Sequence, residues 1–395
     1  MRRPALSALL LATLSLAAIR CSSAEQDEAW VYRQPVRASD GWPTASLAAA
    51  GMDPAPLTEL MNRLRGNPGH MVESILIAVE GKLVFEEYFD GRAHPTYGDQ
   101  PVHYDRLTKH CLSSVTKSVT ATMLGVAIGR GSIASVDEKV LDFFPEMADL
   151  NTGPKSGISL KHMVTMSAGL QWDEWSYPLN DARNDLTRWF NFQGDLIRFV
   201  LERPMVADPG ALFTYNGGVT NVLGEVIRRA SGLRLDRFSE TYLFTPLGIT
   251  DLSWYLIRPD FVYASGDISL RPRDLAKLGQ LYLQGGVWNG SRILSSEWVE
   301  ASTTPAFIMQ PWPGFAGYSY GWWPKTEEYG AGAFAAEGWG GQALMVMPEL
   351  DAVVVLTGGS YWAPPFLTPH QMMSGYILPA VSGRTSARAK PGGSP

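Results

Sequence analysis

Cysteine is nearly absent from the chain: its 395 residues hold two, Cys21 and Cys111. If a leader ends at Ala24, only Cys111 remains, which excludes an intramolecular disulfide in the mature protein. Histidine is equally sparse. His70, His94, His103, His110, His162 and His370 show neither His-x-His nor His-Glu-x-x-His spacing, and His103-Tyr104-Asp105 stands without further ligands, so no metal and no cofactor is expected. A basic excess is missing too. The 33 Lys and Arg are outnumbered by 39 Asp and Glu, giving a net charge of −6. No nucleic-acid partner is expected from that balance. Beyond residue 19 no run of eighteen apolar residues occurs, so no transmembrane span is expected. Gly-x-Ser-x-Gly, P-loop and dinucleotide signatures are all lacking, which sets aside the chemistries that depend on them.

What is present is the make-up of a folded protein, 45% apolar and 18% charged, in a chain longer than one hydrophobic core usually serves. Two subdomains are expected. Met1-Arg2-Arg3 and the apolar run from Ala5 to Ile19, followed by Ser22-Ser23-Ala24, read as a signal peptide over residues 1–24. The mature protein is then periplasmic or secreted. Arg20 fits poorly where lipidation needs a small residue, which argues against a lipid anchor on Cys21.

Residues 25–70 are rich in Pro, Ala and Gly, with a helix-like patch from Pro56 to Leu64, and read as an extension over the surface. Ser74 to Val79 and Lys82 to Tyr88 flank Glu80-Gly81 as a β-hairpin, and Ala343 to Met347 and Ala352 to Thr357 form another. Helical patterns dominate between them: Leu160 to Met166, Leu196 to Leu201, Val219 to Ile227, and a helix starting at Pro272. The organisation expected is a sheet domain from 71–113 and 255–381, a mainly helical domain at 114–254, and a disordered tail at 382–395. The fold class is α/β (α+β), one antiparallel sheet assembled from distant segments and flanked by helices, with an inserted all-helical domain.

Ser114-Val115-Thr116-Lys117 is the only Ser-x-x-Lys of the chain. Val115, Val119, Met123 and Val126 recur at helical spacing, so serine and lysine share one face of a buried helix. Burial lowers a lysine pKa, and a helix N-terminus offers free N–H groups to an oxyanion. Most Ser-x-x-Lys sequences are surface helix positions with no chemistry, so the motif needs company. Cys111, three residues earlier, reads as a small buried hydrophobe, although His110 adjoins it.

Company comes from His162 to Leu170 (His-Met-Val-Thr-Met-Ser-Ala-Gly-Leu), Pro-Gly-x-x-Phe-x-Tyr at 209–215, Leu-Arg-Pro-Arg-Asp-Leu-Ala-Lys-Leu-Gly at 270–279 and Gly-Trp-Gly-Gly-Gln at 338–342. In that order the motifs resemble the serine β-lactamase and penicillin-binding superfamily over roughly residues 70–380, most of all class C β-lactamases, family VIII carboxylesterases and 6-aminohexanoate-dimer hydrolase. The resemblance implies Ser114 as the acylated nucleophile, with Lys117 and Tyr215 moving its proton. It leaves open which of the two is the formal base.

Two departures redirect the substrate. The family's Tyr-x-Asn is here Tyr215-Asn216-Gly217; Asn216 stands one position early and is kept as a substrate-binding candidate. Lys-Thr-Gly is replaced by Trp339-Gly340-Gly341, which removes a cation for a β-lactam carboxylate. Either Trp339 or Gln342 is the second oxyanion donor beside Ser114, and Gly340 and Gly341 let substrate approach the strand, unless they form a β-bulge. Trp339 and one of Trp322 or Trp323 are expected to wall an apolar pocket. The expectation is an exported serine hydrolase for small carboxylic esters or linear amides. A class C-like β-lactamase or D-amino-acid peptidase, and a non-catalytic cell-wall peptide binding protein, are the alternatives.

Overall fold

The computed structural model describes residues 29–308 and 313–388. The expected signal peptide, Cys21, and positions 389–395 of the expected tail lie outside them. A six-stranded antiparallel sheet is built from β1 (Val72–Val79), β2 (Lys82–Tyr88), β3 (Trp323–Pro324), β4 (Phe334–Gly338), β5 (Gln342–Met347) and β6 (Ala352–Gly358), in the order β3-β4-β5-β6-β1-β2. Distant parts of the chain therefore meet at the centre, where Ile77 of β1 pairs with Val354 of β6. Both expected hairpins form. Glu80 and Gly81 both take left-handed φ, the requirement of a tight two-residue turn.

All eight residues of β1 are buried because helices cover both faces of the sheet. Alternation along the strand sends Leu76 and Ala78 into one core and Ile75, Ile77 and Val79 into the other. The second core is closed by α1 (Ala55–Arg65), and here the structure corrects the expectation for 25–70. Leu57, Leu60, Met61 and Leu64 of α1 are fully buried, with Trp30, Leu47 and Met52 beside them. Loop-forming residues on both sides of α1 disguise a helix whose one apolar face is structural. The first core is built around α2 (Val115–Gly129), which is buried from Val115 to Ala127. Onto it packs α3 (Gly217–Ser231), capped by Asn216 and ended by left-handed Gly232, while α4 (Pro272–Leu283) lies against β5 and β6.

Between 114 and 254 the chain is helices, loops and isolated bridges, but its apolar residues do not form a separate core. Leu160, Val222 and Phe244 belong to the same cluster as Leu76 and Leu344 of the sheet. The tail expectation from 382 is also corrected. The last described helix, α5 (Leu378–Arg388), carries through it, and Arg384 is buried, donating to the carbonyl of Leu350. That contact needs the guanidinium, so apolar counting alone gives no reason for order there.

Truncating Leu60 to Ala is expected to cost about 2–5 kcal/mol in chemical unfolding, the range for a buried leucine. A surface covering would instead lose no more than about 0.5 kcal/mol.

Candidate active site

Ser114 is the N-cap of α2, and Ser113 before it has φ 46°, a left-handed conformation that costs an L-residue about 1–3 kcal/mol. Surrounding bonds hold that turn. The Asp267 N–H donates to the Ser113 carbonyl (3.2 Å), as does the Thr116 hydroxyl (2.6 Å), which in turn accepts from the Ile268 N–H (3.1 Å). The serine is thus presented at the end of a buried helix.

Lys117, one turn on, is 3% exposed. Its Nζ donates to the Ser265 carbonyl at 2.8 Å and lies 3.0 Å from Ser114 Oγ. Burial pushes the ammonium below the usual lysine range, while Glu174 and Asp267 act in the opposite direction. A neutral amine there keeps a lone pair for the serine proton. Tyr215 arrives from the loop before α3, and its ring centroid is 4.9 Å from Lys117 Nζ. Burial raises its phenol, with a hydrogen bond to Ser114 working against that rise. The 162–170 segment positions this loop: the Met166 carbonyl, from left-handed backbone, accepts from Thr214 N–H (2.8 Å), and Ser167 accepts from Gly210 N–H (2.8 Å). Tyr215 also stacks on Trp323, centroids 5.9 Å apart.

These groups open on a cavity of about 890 Å³. Its wall carries Ser114, Tyr215, Trp323 and Trp339, together with Phe190, Tyr255 and Tyr361. Trp322 is fully buried behind it, so Trp323 is the member of that pair that reaches the wall. Three carboxylates, Glu174, Asp267 and Glu337, also line it, and among the described residues no Lys or Arg does.

Two candidates fall elsewhere. Asn216 is buried, and its side chain accepts from Val219 N–H to cap α3. Gln342 is buried on β5, its amide donating to the Gly358 carbonyl and to the Tyr361 hydroxyl, and it is not on the cavity wall. Gly340 and Gly341 have φ of 91° and 95° and turn β4 into β5; a side chain at Gly340 would start 2.2 Å from the Tyr361 ring. Of the two strand candidates, Trp339 is the one at the cavity.

Sequence reasoning missed His94, Glu174, Asp267 and Glu337: the last three lie just outside the 162–170, 270–279 and 338–342 stretches, and His94 is in a loop with no pattern. Among the described residues, His94, Cys111 and Asp267 are the one group whose ligand atoms come within 4.8 Å of one another. Their bonding is already internal. His94 Nδ1 accepts from Thr96 N–H (3.2 Å), which leaves the proton on Nε2, 3.2 Å from Ser113 Oγ. The Cys111 thiol is pushed well up by burial and by Asp267.

Fold and site together define a serine hydrolase of the β-lactamase-related class. The chain belongs to the Beta-lactamase family, whose model matches residues 70–367. It is 28% identical over 288 residues to 6-aminohexanoate-dimer hydrolase from Paenarthrobacter ureafaciens, covering 68% of this chain and 71% of the relative. With ML-236A carboxylate methylbutanoyltransferase from Penicillium citrinum it shares 29% identity over 251 residues, spanning 58% of each chain. The fold is also that of a family VIII carboxylesterase, with TM-score 0.60 and 17% identity over 84% of this chain and 96% of the other.

A buried thiol of raised pKa is a poor nucleophile. Iodoacetamide at pH 8 is expected to leave ester hydrolysis by the native protein intact and Cys111 unlabelled, as checked by peptide mass mapping; inactivation in step with Cys111 labelling would contradict the site.

Proposed function

We propose that the protein hydrolyses small neutral carboxylic esters or linear amides through an acyl-enzyme on Ser114. The observation that carries this is the 3.0 Å approach of a desolvated Lys117 amine to Ser114 Oγ. Ser114 Oγ bonds to the substrate carbonyl carbon as its proton passes to the Lys117–Tyr215 pair. The tetrahedral oxyanion is held by the Ser114 N–H, joined in this reading by the Trp339 N–H. Collapse breaks the bond to the leaving alcohol or amine, which takes the proton by way of Tyr215. Water then enters by the reverse route and releases the acid.

The wall composition supports the substrate class. A β-lactam carboxylate would face Asp267 and Glu337, the latter already paired with buried Lys325, across an aromatic cavity with no described Lys or Arg on its wall to pair with it. An uncharged acyl chain matches the aromatic rings. We also propose export to the periplasm or beyond, on the basis of the basic and apolar segment at the N-terminus.

Three substrates test the reading: p-nitrophenyl butyrate, an ω-amino-acid dimer and a chromogenic cephalosporin. The ester is expected to be turned over with much higher kcat/KM than the cephalosporin, and Ser114→Ala to lower it by about 10⁴-fold or more. Activity surviving that substitution would sink the nucleophile assignment.

Trp339→Ala is expected to raise KM for the butyrate about three- to tenfold, with little change in unfolding midpoint, since the ring is only half-buried and lies at the cavity. Unchanged kinetics would remove Trp339 from the acyl pocket.

A further inference from the structure

Gly217 is the second residue after Tyr215, and the space in front of it is occupied. A Cβ built on Gly217 would lie 3.1 Å from Glu174 Oε2 and 3.2 Å from Ser265 Oγ. Glu174 comes from the loop before the helix Asp185–Asn191. Its Oε2 accepts from Gly217 N–H at 2.7 Å and from Trp172 Nε1–H at 2.6 Å. The loop itself is pinned, because Asn184 donates to the carbonyls of Glu174 (3.2 Å) and Tyr177 (2.7 Å). A neutral glutamine would satisfy both of the Glu174 side-chain bonds. Placing a carboxylate there is costly unless an opposite charge repays the lost hydration.

Lys117 supplies that charge. Burial raises the Glu174 carboxyl above its usual range, with Lys117 the largest influence against that rise, and burial lowers Lys117, with Glu174 the largest influence against that fall. Bonds connect the two in steps: Ser265 accepts from Lys117 through its carbonyl and from Asn221 through its hydroxyl, and Asn221 also donates to the carbonyl of Gly217 (3.0 Å), whose N–H Glu174 accepts. The charged and titratable groups acting on Lys117 from the surrounding elements are Glu174, Asp267, Tyr215 and, through Tyr215, Glu337. Glu174 is also influenced by Asp185.

We propose that Glu174 is the positioning counter-charge of the acylation site, its carboxylate taking the place left open at Gly217 and stabilising Lys117 when that amine takes up the Ser114 proton. The proposal rests on the reading of Lys117 as a proton acceptor. The proton that leaves Ser114 Oγ makes an ammonium, and a fixed carboxylate stabilises that product and the transition state leading to it. The same carboxylate favours the ammonium in the free enzyme, so it sets the pH at which the amine becomes available.

The test is the pH profile of kcat/KM for p-nitrophenyl butyrate in wild type and Glu174→Gln, with Ser114→Ala as the blank. Glutamine keeps an acceptor oxygen for Gly217 and Trp172 and removes the charge. The acid limb is expected to move to lower pH by about one unit, the lower end of what an adjacent opposite charge does, and the plateau to fall about tenfold. An acid limb that stays in place overturns the proposal, including the case of a uniform loss of rate, which is what a merely structural role gives. Should Glu174→Gln fail to fold, Gly217→Ala displaces the carboxylate by contact and must move the limb in the same direction. If the limbs coincide while Ser114→Ala is inactive, Glu174 alone is wrongly assigned. Activity in Ser114→Ala would instead strike down the hydrolase reading itself.

Discussion

A lysine amine without water is the condition on which this structure turns. Hydrated, Lys117 would be an ammonium with three protons to give and no lone pair to accept one. Burial in α2 makes the neutral form accessible, and that burial is possible only because α2 has layers of protein on all sides. The sheet supplies one side, with Leu76 and Leu344 in the core that α2 shares. The helical segment supplies another through α3, and the loop carrying Tyr215 closes the end. A central helix this deep can seat a lysine only where the chemistry offsets the cost.

Charge placement around the amine follows the same logic. Ser265 gives Lys117 a carbonyl to donate to, which holds the amine 3.0 Å from Ser114 Oγ. Glu174 and Asp267 temper the desolvation so that the group is not driven so low that it ceases to be a base. Trp339 stands at the cavity, and His94, Tyr361 and Trp362 meet its ring edge-on. The wall is aromatic, with Glu174, Asp267 and Glu337 among its residues.

Much of this was legible from local pattern. Lys117 could be read because a lone cation interrupts an apolar helix, and both hairpins because alternating apolar runs flank short turns. Tyr215 came only with the family resemblance, through the Pro-Gly-x-x-Phe-x-Tyr stretch at 209–215. Other features escaped for physical reasons. α1 was read as surface because its four buried residues are flanked by Pro, Ala and Gly, and the order of 382–388 depends on a guanidinium reaching a carbonyl. Gln342 and Asn216 have the polarity of site residues, yet one bonds across the sheet and the other caps a helix. Glu174 was invisible because its bond to Gly217 spans 43 residues, and no spacing within its own loop records that.

The central claim is that a bond forms at Ser114. Mixing the protein with p-nitrophenyl butyrate, quenching in acid during turnover and mapping the peptides by mass tests it directly. The account predicts one butyryl group, on the peptide containing Ser114 and on that serine. An unmodified protein quenched in mid-turnover, or a butyryl group on Tyr215 or Cys111, would contradict it.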